Sequence, residues 1–138
     1  MENATVKQIM TKKIITIGAD ETLSTASEIM DNNKFRHLPV VEEGKLIGIL
    51  SRTDLLRLGF NDRLGDLESQ IGSNLYDVLT VGQVMVAHPM FISEETPLAE
   101  ASKKMIDEQF NALPVVDSEN KLSGIITTSD ALNFYISN

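Results

Sequence analysis

The second half of this chain repeats the first. Thr5-Val6-Lys7-Gln8-Ile9-Met10 returns 75 residues later as Thr80-Val81-Gly82-Gln83-Val84-Met85. Leu23, Ala26 and Met30 return as Leu98, Ala101 and Met105, and Phe35-Arg36-His37-Leu38-Pro39-Val40-Val41 as Phe110-Asn111-Ala112-Leu113-Pro114-Val115-Val116. One extra residue before Lys121 moves the offset to 76, so Lys45-Leu46-Ile47-Gly48 meets Lys121-Leu122-Ser123-Gly124. A duplication of this length leaves few folds open. Each copy is shorter than the roughly 60–70 residues at which a lone domain buries enough surface to be stable. The two copies are therefore expected to share one core, and a fragment holding one of them is not expected to fold.

Within each copy the pattern predicts β-α-β-β-α. Thr5 and Thr80 read as N-caps of a short leading helix. Ile14-Ile15-Thr16-Ile17 is a β-branched run and predicts a short strand, with Met90-Phe91-Ile92 as its partner in the second copy. Leu23, Ala26, Ile29 and Met30 fall on one face of a helix from about Leu23 to Asn32, and Leu98, Ala101, Met105 and Ile106 repeat that stripe. Both stripes read as core, methionines included. Leu38–Val41 and Leu46–Leu50 read as strands joined by the turn Glu42-Glu43-Gly44. Pro39 lacks a ladder donor and belongs at a strand start or an edge. The fold class is α/β, with one repeat over 5–60, a linker over 61–79 and a second repeat over 80–136. Leu64, Leu67, Ile71, Leu75 and Val78 give that linker an amphipathic helical spacing, weakened by Gly65 and Gly72. It reads as a packed connecting helix or loop, with a dimer contact or a flap over a ligand as the sharper alternatives.

The stretch most suggestive of chemistry closes each repeat. Gly48-Ile49-Leu50-Ser51-Arg52-Thr53-Asp54 reads as a buried strand end, a hydroxyl turn and the start of a helix. Gly124-Ile125-Ile126-Thr127-Thr128-Ser129-Asp130 repeats it. Gly48 lets another group approach the backbone. Thr53 is the candidate N-cap of a helix opening at Asp54. A helix N-terminus offers free N–H groups and partial positive charge to a phosphate, and a carboxylate there can accept from a sugar diol. The plain alternative is that Ser, Thr and Asp only cap the helix.

Composition narrows the function classes. The net charge is −8, so non-specific nucleic-acid binding is disfavoured and an anionic ligand needs its own local donors. Cysteine is absent, which excludes disulfides and thiolate metal sites and fits a cytoplasmic protein. No apolar run approaches the roughly 18 residues of a membrane span, and no signal peptide is visible. No catalytic constellation and no metal motif stand out. His37 and His88 are the only histidines and form no two-histidine metal motif, Ser51 lies in no nucleophile elbow, and Gly44 and Gly48 form no P-loop.

With both copies in register, the sequence resembles a tandem pair of CBS domains, the cystathionine-β-synthase-type repeat, together called a Bateman module. The motifs are V-x-x-I/V-M, T-L or P-L with x-x-A-x-x-x-M, L-P-V-V and G-h-h-S/T-x-S/T-D. The resemblance runs from Thr5 to Leu132 apart from the linker. It implies two repeats about a pseudo-two-fold axis, with clefts between them that in many members bind AMP, ADP, ATP or S-adenosylmethionine, and a further pairing into a homodimer. By position, Asp54 and Asp130 stand where the family takes ribose hydroxyls, and Ser51 and Thr127 where a hydroxyl meets phosphate. Ile15 and Met90 lie on the strand whose backbone meets the adenine edge. Arg36 and His37 stand where basic groups reach phosphate. The second copy departs from the pattern with Asn111 and Ala112.

Three readings follow. The first is a free-standing regulatory module that binds an adenosine nucleotide and signals through an effector protein. The second is a constitutive dimerisation or interaction domain with empty sites. The third is a small enzyme acting on a nucleotide. For Arg36 and His37 the plain alternative is a solvated strand edge, paired with Glu42.

Overall fold

The computed structural model describes residues 4–61 and 75–137. Residues 62–74, which hold most of the sequence-defined linker, lie outside the described residues. The chain is a mixed α/β protein, with two three-stranded sheets among the described residues. In order the elements are α1 (Val6–Ile9), α2 (Leu23–Asn33), β1 (His37–Glu42), β2 (Lys45–Ser51), α3 (Arg52–Asn61), α4 (Val81–Val84), β3 (Val86–Ala87), β4 (Ile92–Ser93), α5 (Leu98–Glu108), β5 (Ala112–Val116), β6 (Leu122–Thr127) and α6 (Thr128–Ser137). Residues 75–78 are also helical.

The chain divides into two compact units that do not coincide with its two repeats. One comprises Met1–Ile14, Gly44–Leu46 and Met90–Asn138; the other comprises Ile15–Glu43 and Ile47–Pro89. We call them unit 1 and unit 2. Each repeat's leading helix thus belongs to the unit built by the other repeat. In unit 1, the Val6 and Lys7 amides donate to the Thr96 and Glu94 carbonyls, and Leu98 donates back to Ala4. In unit 2, the Val81 and Gly82 amides donate to Glu21 and Ala19, and Leu23 donates to Leu79. Thr5 and Thr80 each head a capping box with a glutamine three residues on, which satisfies first-turn donors of a helix too short to persist alone.

The buried side chains follow the same division. Val6 and Met10 pack with Ile92, Leu98, Ala101, Met105, Leu113, Val115, Ile126 and Ala131. Val81 packs with Ile17, Leu23, Ala26, Met30, Leu38, Val40, Leu50 and Leu55. The one shared core expected from the repeat length is, among the described residues, two clusters, each completed by a leading helix from the other repeat. Val6 and Val81 are fully buried, and burying a valine contributes roughly 1.5–3 kcal/mol.

The segment after each leading helix extends the exchange into the sheets. Ile49 pairs with Val86, and Gly48 with Ala87. At the matching place Thr11 bridges Ile125, with N···O distances of 2.9 and 3.0 Å. The close approach read at Gly48 is made by methionine. A Cβ on Gly48 would lie 2.3 Å from the Met85 sulfur, and one on Gly124 would lie 2.7 Å from the Met10 sulfur and 2.9 Å from the Thr11 carbonyl oxygen.

Several expectations are corrected. Ile14–Ile17 forms no strand; only Ile17 bridges, parallel to Val40, because the run meets β1 at a single residue. Its partner is the two-residue β4, which begins at Ile92. Helix α3 begins at Arg52, not Asp54, so Thr53 lies within its first turn and is not its N-cap. Ile106, read as core, is 74% exposed. It follows Met105, and a one-residue step of about 100° turns it off the buried face. Pro39 does lie in an edge strand of its sheet.

Candidate nucleotide-binding edges

The two strand-to-helix turns are built alike. In unit 2 the Ser51 amide donates to Asp54 Oδ2 at 3.1 Å, and the Asp54 amide donates to Ser51 Oγ at 3.0 Å. In unit 1 Thr127 and Asp130 repeat both bonds at 3.0 Å. This is a reciprocal capping box with aspartate in the third helical position, so Ser51 and Thr127 are the caps. The cap reading of these four residues is therefore correct as structure, and it positions them. Each carboxylate is pinned over the first turn of a ten-residue helix, beside its N–H groups and the positive end of its dipole. One further bond ties each turn to the strand opposite. The Arg52 amide donates to the Arg36 carbonyl at 2.8 Å, and the Thr128 amide to the Asn111 carbonyl at 2.9 Å. The residues ahead of Leu-Pro-Val are thereby fastened to the helix start.

Around this common frame the two edges differ. Unit 2 holds Ile15, Arg36, His37, Ser51 and Asp54 together. Arg36 is exposed and His37 half-buried. Burial pushes the His37 pKa below its ordinary 6.5, the Arg36 charge adds to that, and the Asp54 carboxylate opposes both. Arg52, not singled out from the sequence, adds a second guanidinium at the helix start and pairs with Asp31 of α2 at 2.5 Å. No spacing rule linked Asp31 to Arg52, because the pair joins two helices. The expected Arg36–Glu42 or His37–Glu42 pairing is not among the ion pairs of the described residues.

Unit 1 holds Met90, Thr127 and Asp130, with Asn111 and Ala112 in place of the basic pair. Its distinguishing feature is Thr11, whose hydroxyl donates to Asp130 at 3.2 Å from each carboxylate oxygen. The residue equivalent to Thr11 in unit 2 is Val86, which has no hydroxyl. Sequence reasoning missed Thr11 because its partner lies 119 residues away. Ile15 and Met90 are both partly exposed, each two residues before the buried Ile17 or Ile92.

Comparison with known proteins places this geometry. The model of the CBS domain matches twice, at residues 6–61 and 81–137. This chain belongs to the CBS-domain family. It is 33% identical over 132 residues to a CBS domain-containing protein of Dictyostelium discoideum, covering 95% of this chain and 90% of that one. It spans less than half of several other relatives: 48% of an archaeal protein from Methanocaldococcus jannaschii and 24% of a homoserine O-acetyltransferase from Methanococcoides burtonii. Among solved structures, CBSX2 in complex with AMP superposes with a TM-score of 0.81 at 29% identity, covering 96% of both chains. The CBS domain pair of MJ0100, in complex with 5′-methylthioadenosine and S-adenosyl-L-methionine, gives 0.76 at 26% identity, covering 96% of this chain and 99% of that one. The chain is thus a CBS pair.

Among the described residues no helix is long and apolar enough to cross a membrane, and no cluster of three or more His, Asp or Glu is placed to hold a metal ion.

Proposed function

We propose that this CBS pair is a regulatory module that binds an adenosine nucleotide and passes its occupancy to an effector protein. The observation that carries the reading is the convergence in unit 2. Arg36 and His37 stand beside the N-terminus of α3, and Asp54 Oδ1 has no bonded partner among the described residues. Helix N–H groups and a guanidinium suit phosphate, and an open carboxylate oxygen suits a ribose hydroxyl. Asp54 holds the ribose, Ser51 and Arg36 meet the phosphate with His37, and the backbone at Ile15 meets the adenine edge. Asp130, Thr127 and Met90 form the second, less cationic edge. Relatives crystallised with AMP and with adenosyl sulfur compounds support the ligand class. A thermal-shift panel of AMP, ADP, ATP and S-adenosylmethionine, followed by calorimetry of the best ligand, tests this. A melting temperature unmoved by millimolar amounts of all four would reject it.

A specific observation also favours self-association. In unit 1 an apolar groove of about 630 Å³ lies between α5 and α6, lined among others by Met105, Ile106, Phe110, Leu132 and Tyr135. Leu132 is 60% exposed. Such a face suits a second copy of the chain, and a homodimer is the assembly we propose. Light scattering at tens of micromolar, with Ile106→Glu and Leu132→Glu as disrupting variants, checks it. A monomeric parent at that concentration overturns it.

A further inference from the structure

The two acidic caps are not equally free to take a ligand. Among the described residues Asp54 accepts one hydrogen bond, from the Ser51 amide. Asp130 accepts the matching amide and also the Thr11 hydroxyl, which is 3.2 Å from both its oxygens. An ionised carboxylate has about four acceptor positions, and a sugar diol uses it by donating two O–H groups. The Thr11 hydroxyl is one such donor, supplied by the chain itself. Its placement is built in. Thr11 is held by two backbone bonds to Ile125 in the strand that leads into Thr127, and Gly124 has no Cβ, which lets that backbone lie close. In unit 2 the same ladder position belongs to Val86, paired with Ile49, so the backbone is reproduced and the hydroxyl is missing.

We infer that Thr11 is a specificity-determining residue, an internal stand-in for one ribose hydroxyl that occupies Asp130 and directs a diol-bearing ligand to Asp54. The inference rests on the adenosine-nucleotide reading above and adds a ranking of the two edges. A diol arriving at Asp54 meets, among the described residues, no side-chain donor to displace. A diol arriving at Asp130 must displace the Thr11 hydroxyl or share the carboxylate with it. Thr11 acts through Asp130, so it is a positioning residue.

The test is calorimetry with adenosine and 2′-deoxyadenosine, which carry no phosphate and so set Arg36 and His37 aside. The proteins are the parent, Thr11→Val, Thr11→Ser and Val86→Thr. One exposed hydrogen bond to a carboxylate, weakened by solvent screening, corresponds to about a three- to tenfold change in affinity. Thr11→Val should strengthen the weaker adenosine site by that factor, and Asp130→Ala should abolish the gain. Thr11→Ser should bind like the parent. Val86→Thr should weaken the tighter site by a similar factor. In each case 2′-deoxyadenosine should respond less than adenosine, a difference that a merely structural role for Thr11 would not produce. If the parent binds adenosine and neither Thr11→Val nor Val86→Thr changes either site, the inference falls and the nucleotide reading stands. If neither the parent nor Thr11→Val binds any adenosine ligand, the nucleotide reading falls, and this inference with it. Should Thr11→Val unfold, the reciprocal Val86→Thr decides alone, since it adds a hydroxyl at an exposed position.

Discussion

Set side by side, the helix entries of units 1 and 2 share their backbone, their aspartate and their hydroxyl cap, and differ in the side chains around them. The capping box and the amide bond from the helix start to the residue before Leu-Pro-Val recur within about 0.1 Å, and in both units a ladder beneath a close-packed methionine leads into them. The variable positions are Arg36-His37 against Asn111-Ala112 and Val86 against Thr11. Duplication has kept the frame that makes a helix N-terminus accessible and left its lining free to diverge. Cations collect at one edge, and a self-made hydrogen bond fills the other.

The largest expected effect tests the frame. A fragment of residues 1–60 removes Val81 from one core and all of repeat 2 from the other, so it should show no cooperative melt by circular dichroism. In the full chain, Leu38→Ala and Leu113→Ala delete matching buried side chains and should each cost about 2–5 kcal/mol. Equal costs in chemical denaturation support equivalent cores. A stably folded 1–60 fragment would show that the exchanged helices are dispensable.

Function is where the edges should part. In the proposed site Asp54→Ala should remove a charge-assisted bond to ribose, worth roughly 1.5–3 kcal/mol or about 10- to 150-fold in AMP affinity, whereas Asp130→Ala should weaken the tighter site much less. Both variants lose a capping acceptor, so both should lose stability by a similar amount, about 1 kcal/mol. Calorimetry beside denaturation separates the two effects. Equal affinity losses would abolish the ranking of the edges.

Much of this was legible in the sequence, and what was not shares a cause. The repeat, the apolar stripes, Leu-Pro-Val-Val and the closing motif all depend on neighbours within a few residues, so their periodicity announced helices, strands and turns. Ser51, Asp54, Thr127 and Asp130 were singled out because the closing motif repeats, but the cap was read at Thr53 and the helix start two residues late, since the motif does not say which hydroxyl turns back on the helix. The exchange of leading helices was not found, because Val6 meets Leu98 and Val81 meets Leu23 through tertiary pairing that spacing does not encode. Thr11 and Arg52 escaped for the same reason. The Ile14–Ile17 strand was overcalled, since β-branched residues favour extended backbone whether or not a partner strand runs alongside.

Arg36→Ala sharpens the comparison at the next level. The side chain is exposed, so its charge is screened, and the loss should be about three- to tenfold for AMP and ATP and small for adenosine. The difference should shrink as salt shortens the Debye length. The same change at Asn111 should do nothing. A loss equal for all three ligands would make Arg36 a support of the fold. Smaller again is a test that should not distinguish the units. Helices α2 and α5 end at matching residues in the left-handed region, Lys34 and Gln109, both with φ of 58°. Glycine is free there, so Lys34→Gly and Gln109→Gly should each raise stability by up to about 1 kcal/mol, read as a higher denaturation midpoint.

The smallest effect, and the one that best isolates the cationic edge, is a pH dependence with two opposite slopes. Folding lowers the His37 pKa below 6.5, chiefly by burial and then by Arg36, against the pull of Asp54. In that window the unfolded chain binds more protons than the folded one, so stability rises with pH. The contribution is present above 6.5 and is lost as pH falls from there through the folded pKa. A bound phosphate acts the other way. An anion beside the ring favours its charged form, so binding takes up a proton, and the preference for AMP over adenosine should grow as pH falls through the same window. One imidazole thus makes the free protein weaker and its phosphate site stronger on acidification. His37→Asn should flatten both slopes. Melting curves and AMP-to-adenosine affinity ratios between pH 5 and 7.5 measure the pair. A ratio independent of pH in the parent, with the stability slope intact, would leave His37 as a half-buried strand residue and assign the phosphate to Arg36 and the helix N–H groups.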